Sequence, residues 1–246
     1  MSIATFIPKV ILNRFLIWSK LDRKVWPSDG RWKSFKYDPS KTIQQNAGFS
    51  HTPEVEAALQ IVKNKLASTL DKHVQKGSAI LDIGCGPGIY MDMLKEAYEV
   101  VGVDISQEML QSASHKLPKN KFYCGNFMDI DFNEHYSAIY SISVLEFIPV
   151  SRIDDFFNKC ASLLCSGGIL FIQYPHALRI RDLLYPNLNY INYSSKFISR
   201  TASKYFRIIE NNHSFDGRPA CWYDNNAYPT ATCTFKNGFV LIAQKV

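Results

Sequence analysis

No run of about 20 uninterrupted apolar residues, the length a bilayer-crossing helix needs, occurs anywhere in this chain of 246 residues. Its apolar start is broken by Lys9, Asn13 and Arg14 and lacks the compact apolar run and small-residue cleavage site of a secretory signal. A transmembrane span and export are therefore not expected, and a cytoplasmic address is. Cysteine is sparse and scattered: Cys85, Cys124, Cys160, Cys165, Cys221 and Cys233 include no C-x-x-C pair and no neighbouring His of zinc-site spacing. No metal site is expected, and reduced thiols are expected in place of a disulfide framework. Internal repeats and low-complexity tracts are missing too, which excludes repeat architectures.

What is present suits one compact domain with a modest extension: 46% of the residues are hydrophobic and 20% charged. The formal charge of +6 is unevenly placed, since residues 1–50 hold nine Lys or Arg against three Asp, whereas the other 196 hold 19 of each sign. A basic extension on a neutral body fits a phosphate-bearing substrate, a membrane surface or nucleic acid, and it equally fits a solvated face. Residues 1–50 also carry Phe6, Phe15, Trp18, Trp26, Trp32, Phe35, Tyr37 and Phe49, punctuated by Pro27, Gly30 and Pro39. They read as an N-terminal arm or lid. Phe6, Val10, Phe15 and Leu16 stand at roughly helical spacing, so a peripheral membrane contact through an amphipathic helix is one reading and core packing the other.

Residues 51–246 form the expected catalytic body, with an acceptor-side insertion around 175–235. Thr52, Pro53 and Glu54 open a helix as N-cap, first-turn proline and acid, and Val55, Leu59, Val62, Leu66 and Leu70 carry it to about residue 70. Short apolar runs at 79–83, 99–103, 121–124, 137–142 and 168–174 predict strands, with helices between them and two further strands at 205–209 and 238–244. The central runs are apolar on both faces, the pattern of a parallel sheet covered on each side. The expected fold is α/β: a Rossmann-like, doubly wound, mostly parallel seven-stranded sheet with an N-terminal helical, aromatic arm.

The chemistry is concentrated in Leu81-Asp82-Ile83-Gly84-Cys85-Gly86-Pro87-Gly88. A strand turning through spaced glycines into a helix lets backbone approach a ligand where a Cβ would collide. The G-x-G-x-G spacing differs from the dinucleotide pattern, and Pro87 removes an N–H that a pyrophosphate would use. Asp82 offers a carboxylate to a cationic ligand, which suits the amino group and sulfonium of S-adenosylmethionine. Asp104 ends the next apolar strand about 20 residues beyond the first glycine, where an acid accepts both ribose hydroxyls. Its rival role, capping the next helix, is already open to Ser106.

On these residues the chain resembles the class I S-adenosylmethionine-dependent methyltransferases from about Gly77 to Pro175. The resemblance implies that Asp82, Gly84, Gly86 and Gly88 line the methionine end of the cofactor, that Asp104 binds its ribose, and that Ile105 and Met109 flank the adenine. It further implies that S-adenosylhomocysteine is the product. Cys124-Gly125-Asn126-Phe127 falls where the family writes Gly-Asp and an apolar residue; Asn126 departs from that acid, although an amide oxygen still accepts from the adenine amino group. A turn-forming Asn is the rival reading. The resemblance also implies that Ile142, at the end of the fourth strand, touches the cofactor. Phe147 follows Glu146 where many relatives carry His, so that histidine's role does not transfer. Leu164-Cys165-Ser166-Gly167-Gly168 resembles the turn into strand five.

Methyl transfer from a sulfonium is an in-line displacement in which positioning dominates, and a base is needed only for acceptors that must lose a proton. Glu146, Tyr174 and His176 stand at strand ends where open α/β sheets bind ligands; His176 and Glu146 are the catalytic candidates. Tyr185, Tyr190, Tyr193, Trp222, Tyr223 and Tyr228 are candidates for an acceptor lining, or for an ordinary core. A small organic acceptor of metabolite, natural-product, quinone or sugar type is expected. Two alternatives stay open: a non-catalytic cofactor-binding module, and an RNA methyltransferase reading nucleic acid with the basic arm, against which no nucleic-acid module or base-amino motif is present.

Overall fold

The computed structural model describes residues 36, 38, 40, 53–175, 193–213 and 238–246. Along these residues the elements are α1 (Pro53–His73), β1 (Ala79–Ile83), α2 (Ile89–Leu94), β2 (Glu99–Asp104), α3 (Gln107–Lys116), β3 (Lys121–Cys124), β4 (Tyr136–Ile142), α4 (Ile153–Leu163), β5 (Leu164–Pro175), α5 (Ser195–Ala202), β6 (Phe206–His213) and β7 (Gly238–Lys245). Three short 3-10 turns lie at Phe127–Asp129, Leu145–Phe147 and Val150–Arg152. The seven strands form one sheet in the order β3-β2-β1-β4-β5-β7-β6. Pairs from β3 to β5 are parallel, and β7 runs antiparallel between β5 and β6. The strand order reverses between β1 and β4, the switch point at which such sheets bind ligands beyond their carboxyl ends.

Alternation along the strands divides the core in two. Leu81, Ile83, Ile139, Leu170 and Ile172 pack with α4 and α5 on one face. Ile80, Ala138, Tyr140, Ile169 and Phe171 pack with α1, α2 and α3 on the other. The helices meet this sheet with single stripes: Ile153, Phe156, Phe157, Cys160 and Leu163 are the buried residues of α4, and the three-four spacing puts them on one side. Both faces being covered explains the continuous apolar strands.

Three boundaries differ from expectation. The first helix runs on through Asp71, Lys72 and His73, an exposed last turn that carries no apolar signal, and Val74 then folds back with its N–H donated to Leu70 O at 2.8 Å. β5 begins at Leu164, ahead of the paired glycines, and its register against β4 shifts between Tyr136 and Ala138. β6 continues through the polar residues Glu210 to His213 because the edge strand is held by its ladder to β7, not by apolar alternation. The arm (residues 1–50, apart from 36, 38 and 40) and residues 176–192 and 214–237 lie outside the described residues.

Candidate active site

The loop between β1 and α2 is anchored to β2: Gly84 N and Cys85 N both donate to Val103 O, at 2.8 and 3.1 Å. Gly84, Gly86 and Gly88 take φ values of 72°, 53° and 82°, the left-handed region that costs other L-residues about 1–2 kcal/mol. Their surroundings differ. A Cβ at Gly84 would fall 2.2 Å from Val144 Cγ2, and one at Gly88 would fall 2.9 Å from Leu117 Cδ1. At Gly86 a Cβ would meet nothing within 4 Å. Of the three expected cofactor glycines, two therefore let protein pack on the loop, and Gly86 is the one that fronts open space.

Gly86 also joins the loop to the second acid. Asp104 Oδ2 accepts from Gly86 N at 2.8 Å, and Oδ1 accepts from Ser106 N at 2.8 Å. Burial pushes the Asp104 carboxyl above the usual carboxylate range, and the backbone N–H donors of Ser106, Gly86 and Ile105 hold it down. Each oxygen keeps a further lone pair for a ligand hydroxyl. The cap of α3 belongs to Ser106, whose Oγ accepts from Met109 N at 3.4 Å. Ile105 is half-buried and Met109 buried.

Asp82 sits beneath the loop, 3% exposed, with Oδ2 lacking a hydrogen-bond partner. Burial drives its carboxyl well above the ordinary range; the neighbouring Tyr140 hydroxyl eases that rise without a completed hydrogen bond, and the Asp104 charge adds to it. A buried acid left in this condition calls for a cation.

Asn126 caps the 3-10 turn Phe127–Asp129, its Oδ1 accepting from Met128 N at 3.0 Å. The turn-forming role is thus realised, leaving one lone pair of the amide oxygen for an adenine amino group. The Phe127 ring is core: it lies 5.6 Å from Phe156 and 5.8 Å from Phe132, with the Lys159 ammonium 5.2 Å away. Any cofactor contact from it falls to its backbone. Ile142 is buried at the end of β4, and Glu146 is buried in the turn Leu145–Phe147.

Tyr174, one of the groups at the strand ends, points into the core. It is fully buried, donates to Asn211 Oδ1 at 2.8 Å, and burial raises its phenol, so it is a core residue and no base. Tyr193 is likewise buried; its hydroxyl donates to Ile148 O at 2.6 Å and its ring stacks on Phe197, which makes it packing and no pocket lining. His176, Tyr185, Tyr190, Trp222, Tyr223 and Tyr228 lie outside the described residues.

Two features escape a reading of the motif. Ser143, directly after β4, is the one non-glycine residue of positive φ (58°) among the described residues. Its N–H donates to Gln173 O at 3.1 Å and its Oγ to Gln173 Oε1 at 3.0 Å, and this turn carries Val144 onto Gly84. Tyr90 and Tyr140 surround Asp82 with hydroxyls of their own that lack partners. Apolar-looking strand and helix positions gave no sign of either.

Taken together, an open approach at Gly86, an unpartnered buried carboxylate at Asp82 and a braced acid at Asp104 fit an S-adenosylmethionine-type cofactor: amino group by Asp82, ribose by Asp104. Among the described residues no group of three or more His, Cys, Asp or Glu could hold a metal ion.

Residues 80–168 match the family model described as Methyltransferase domain. Sphingolipid C9-methyltransferase 1 of Gibberella zeae is 27% identical over 179 residues, covering 69% of this chain and 35% of that protein. Trans-aconitate 2-methyltransferase of Rhodopseudomonas palustris is 31% identical over 102 residues, 40% of this chain and 39% of the relative. The chain thus spans well under half the length of either relative. Magnesium protoporphyrin IX methyltransferase from Synechocystis PCC 6803, solved with bound S-adenosylhomocysteine, shares the fold with a TM-score of 0.61 at 15% identity, over 97% of this chain and all of that one. The N-methyltransferase NodS from Bradyrhizobium japonicum WM9, also bound to S-adenosylhomocysteine, superposes with a TM-score of 0.58 at 11% identity, over 93% and 98% of the two chains.

Proposed function

We propose that this class I S-adenosylmethionine-dependent methyltransferase transfers its donor's methyl group to a small organic acceptor, in the cytoplasm. The observation that carries the reading is the pair of acids at the carboxyl ends of β1 and β2, Asp82 and Asp104, the second hydrogen-bonded to Gly86 N, where a Cβ would meet nothing within 4 Å. When bound, the cofactor supplies an electrophilic methyl group on sulfur with a neutral thioether as leaving group.

The chain's own part is to bind and to aim. Asp82 offers its carboxylate to the amino end of the methionine moiety. Asp104, fixed by two backbone N–H donors, takes the ribose hydroxyls with its remaining lone pairs. Ile105 and Met109 flank the adenine, Asn126 accepts from its amino group, and Ile142 with the backbone at Phe127 closes the other side. Gly84 and Gly88 hold the loop's shape by letting Val144 and Leu117 pack closely. At the acceptor side, Glu146 and His176 are the groups to take up an acceptor proton, where the acceptor has one to lose.

A small acceptor is supported by the relatives, whose names point to a sphingolipid and to trans-aconitate. The longer of these matches, over 179 residues, favours an acceptor with lipid character, and the basic, aromatic arm at 1–50 suits a peripheral membrane contact that would deliver it. The scattered spacing of the six cysteines suits a reducing compartment, and no described helix is long and apolar enough to cross a membrane. The test is S-adenosylhomocysteine production against a panel of hydroxy-lipids, carboxylic acids and amines, with RNA as a further arm. Turnover of a small acceptor that is lost in Asp104→Ala supports the reading. RNA methylation with strongly salt-dependent binding would transfer the activity to the basic arm.

A further inference from the structure

Asp82 Oδ2, Tyr90 Oη and Tyr140 Oη are three buried side-chain oxygens beside the glycine loop, none completing a hydrogen bond, although the Tyr140 hydroxyl already stands close enough to Asp82 to ease the burial-driven rise of its carboxyl. They come from three elements. Asp82 and Tyr140 are cross-strand neighbours on β1 and β4, and Tyr90 stands in the first turn of α2, directly after the loop. Burial pushes both phenols up and the charge of Asp82 adds to it, so the three lie within electrostatic reach of one another. Cys85 from the loop and Asp104 from β2 also face the carboxylate. Every one of these groups is an acid, and none supplies a counter-charge.

Among the described residues, other buried phenols find acceptors: Tyr174 donates to Asn211 and Tyr193 to Ile148. The remaining exception, Tyr136, lies at the far end of β4 from the loop. Unsatisfied buried polar groups are costly and tend to sit where a ligand completes them. A single carboxylate oxygen has lone pairs enough to accept from two hydroxyls. Once a cation approaches from the loop side, the ionised Asp82 becomes a strong acceptor, and both phenols lie near enough to feel its charge.

We propose that Tyr90 and Tyr140 donate to Asp82 Oδ2 in the bound state, so that the three side chains form one receptor for the α-ammonium end of the cofactor. The phenols are then positioning residues that set selectivity for ligands bearing an amino-acid end. The inference rests on the proposed use of S-adenosylmethionine.

Removing an unpartnered buried hydroxyl leaves the ring's packing in place, so Tyr90→Phe and Tyr140→Phe are expected to fold with unchanged or raised Tm. The test measures Kd, by calorimetry on the full chain, for S-adenosylhomocysteine and for 5'-methylthioadenosine, which lacks the amino-acid end. Each variant should weaken S-adenosylhomocysteine about tenfold while leaving 5'-methylthioadenosine within about twofold, and Tyr136→Phe should change neither. An unaltered ratio of the two affinities in both Tyr90→Phe and Tyr140→Phe overturns the receptor while the cofactor assignment stands. Failure of the unmodified protein to bind either ligand overturns both.

Discussion

Asp82 concentrates the tension between stability and binding. Its carboxyl is buried without a partner, and burial raises its pKa well above the value of 3.8 it has when free. Between the unfolded and the folded pKa the native state binds the extra proton, so stability is greatest at low pH and falls as pH rises through that window. The slope approaches about 1.4 kcal/mol per pH unit while the difference persists. Asp82→Asn cannot ionise and should lose this part of the decline. Thermal melts from about pH 5 to about pH 8 should converge at the acid end, with the variant melting higher at the alkaline end. The same variant should bind S-adenosylhomocysteine more weakly. Parallel melting curves for the two proteins would show that Asp82 keeps an ordinary pKa.

At the scale of elements, the loop between β1 and α2 separates two kinds of glycine that look identical in sequence. Gly84→Ala meets both a left-handed φ of 72° and Val144 at 2.2 Å, and overpacking against a side chain near the backbone adds to the dihedral cost. A loss of about 3 kcal/mol in denaturant unfolding is expected. Gly86→Ala meets open space and should lose only about 1 kcal/mol. Its effect appears instead as weakened cofactor binding, because the added methyl stands on the approach. Tyr174→Phe reports on the next element pair: it orphans Asn211 Oδ1 between β5 and β6, so about 1–2 kcal/mol of stability should go while turnover stays. A fall in turnover of about a hundredfold or more would restore Tyr174 as a proton-transfer group.

These contrasts also mark what could be read without coordinates. Seven strands, the loop and the spacing from Gly84 to Asp104 were legible because each is a local pattern: apolar runs bounded by turns, glycines at fixed intervals, an acid at a strand end. The extension of β6 through Glu210–His213 was hidden because a polar edge strand is held by pairing with β7 and shows no alternation. For Tyr193 the ordinary-core alternative is the one realised, and for Tyr174 too the hydroxyl finds an internal acceptor, which an aromatic residue near a strand end does not disclose in the sequence. Ser143 escaped because its left-handed turn depends on Gln173, thirty residues away. The Asn126 substitution was visible, and its turn chemistry too, but only the Met128 N–H shows which rival the oxygen serves.

For the whole molecule, charge does not explain cofactor recognition. The net +6 resides in residues 1–50, and one arm residue, the exposed Lys36, reaches the body through a 2.7 Å ion pair with Glu108 on α3. An excess of positive charge would, if anything, draw phosphates, whereas the site itself presents two carboxylates beneath and beside the loop. Binding should therefore discriminate by local chemistry. A ligand at a hundred times its Kd adds about 2.7 kcal/mol to the folded state, which for a chain of this size raises Tm by about 5–10 °C. S-adenosylmethionine and S-adenosylhomocysteine at saturation should both give that shift. NAD at the same concentration should give none, because Pro87 withholds a backbone donor that a pyrophosphate would use and the described residues of the site offer it no cation. An NAD shift equal to that of S-adenosylhomocysteine would mean that the loop seats phosphate after all and that Asp82 is not reading a cation.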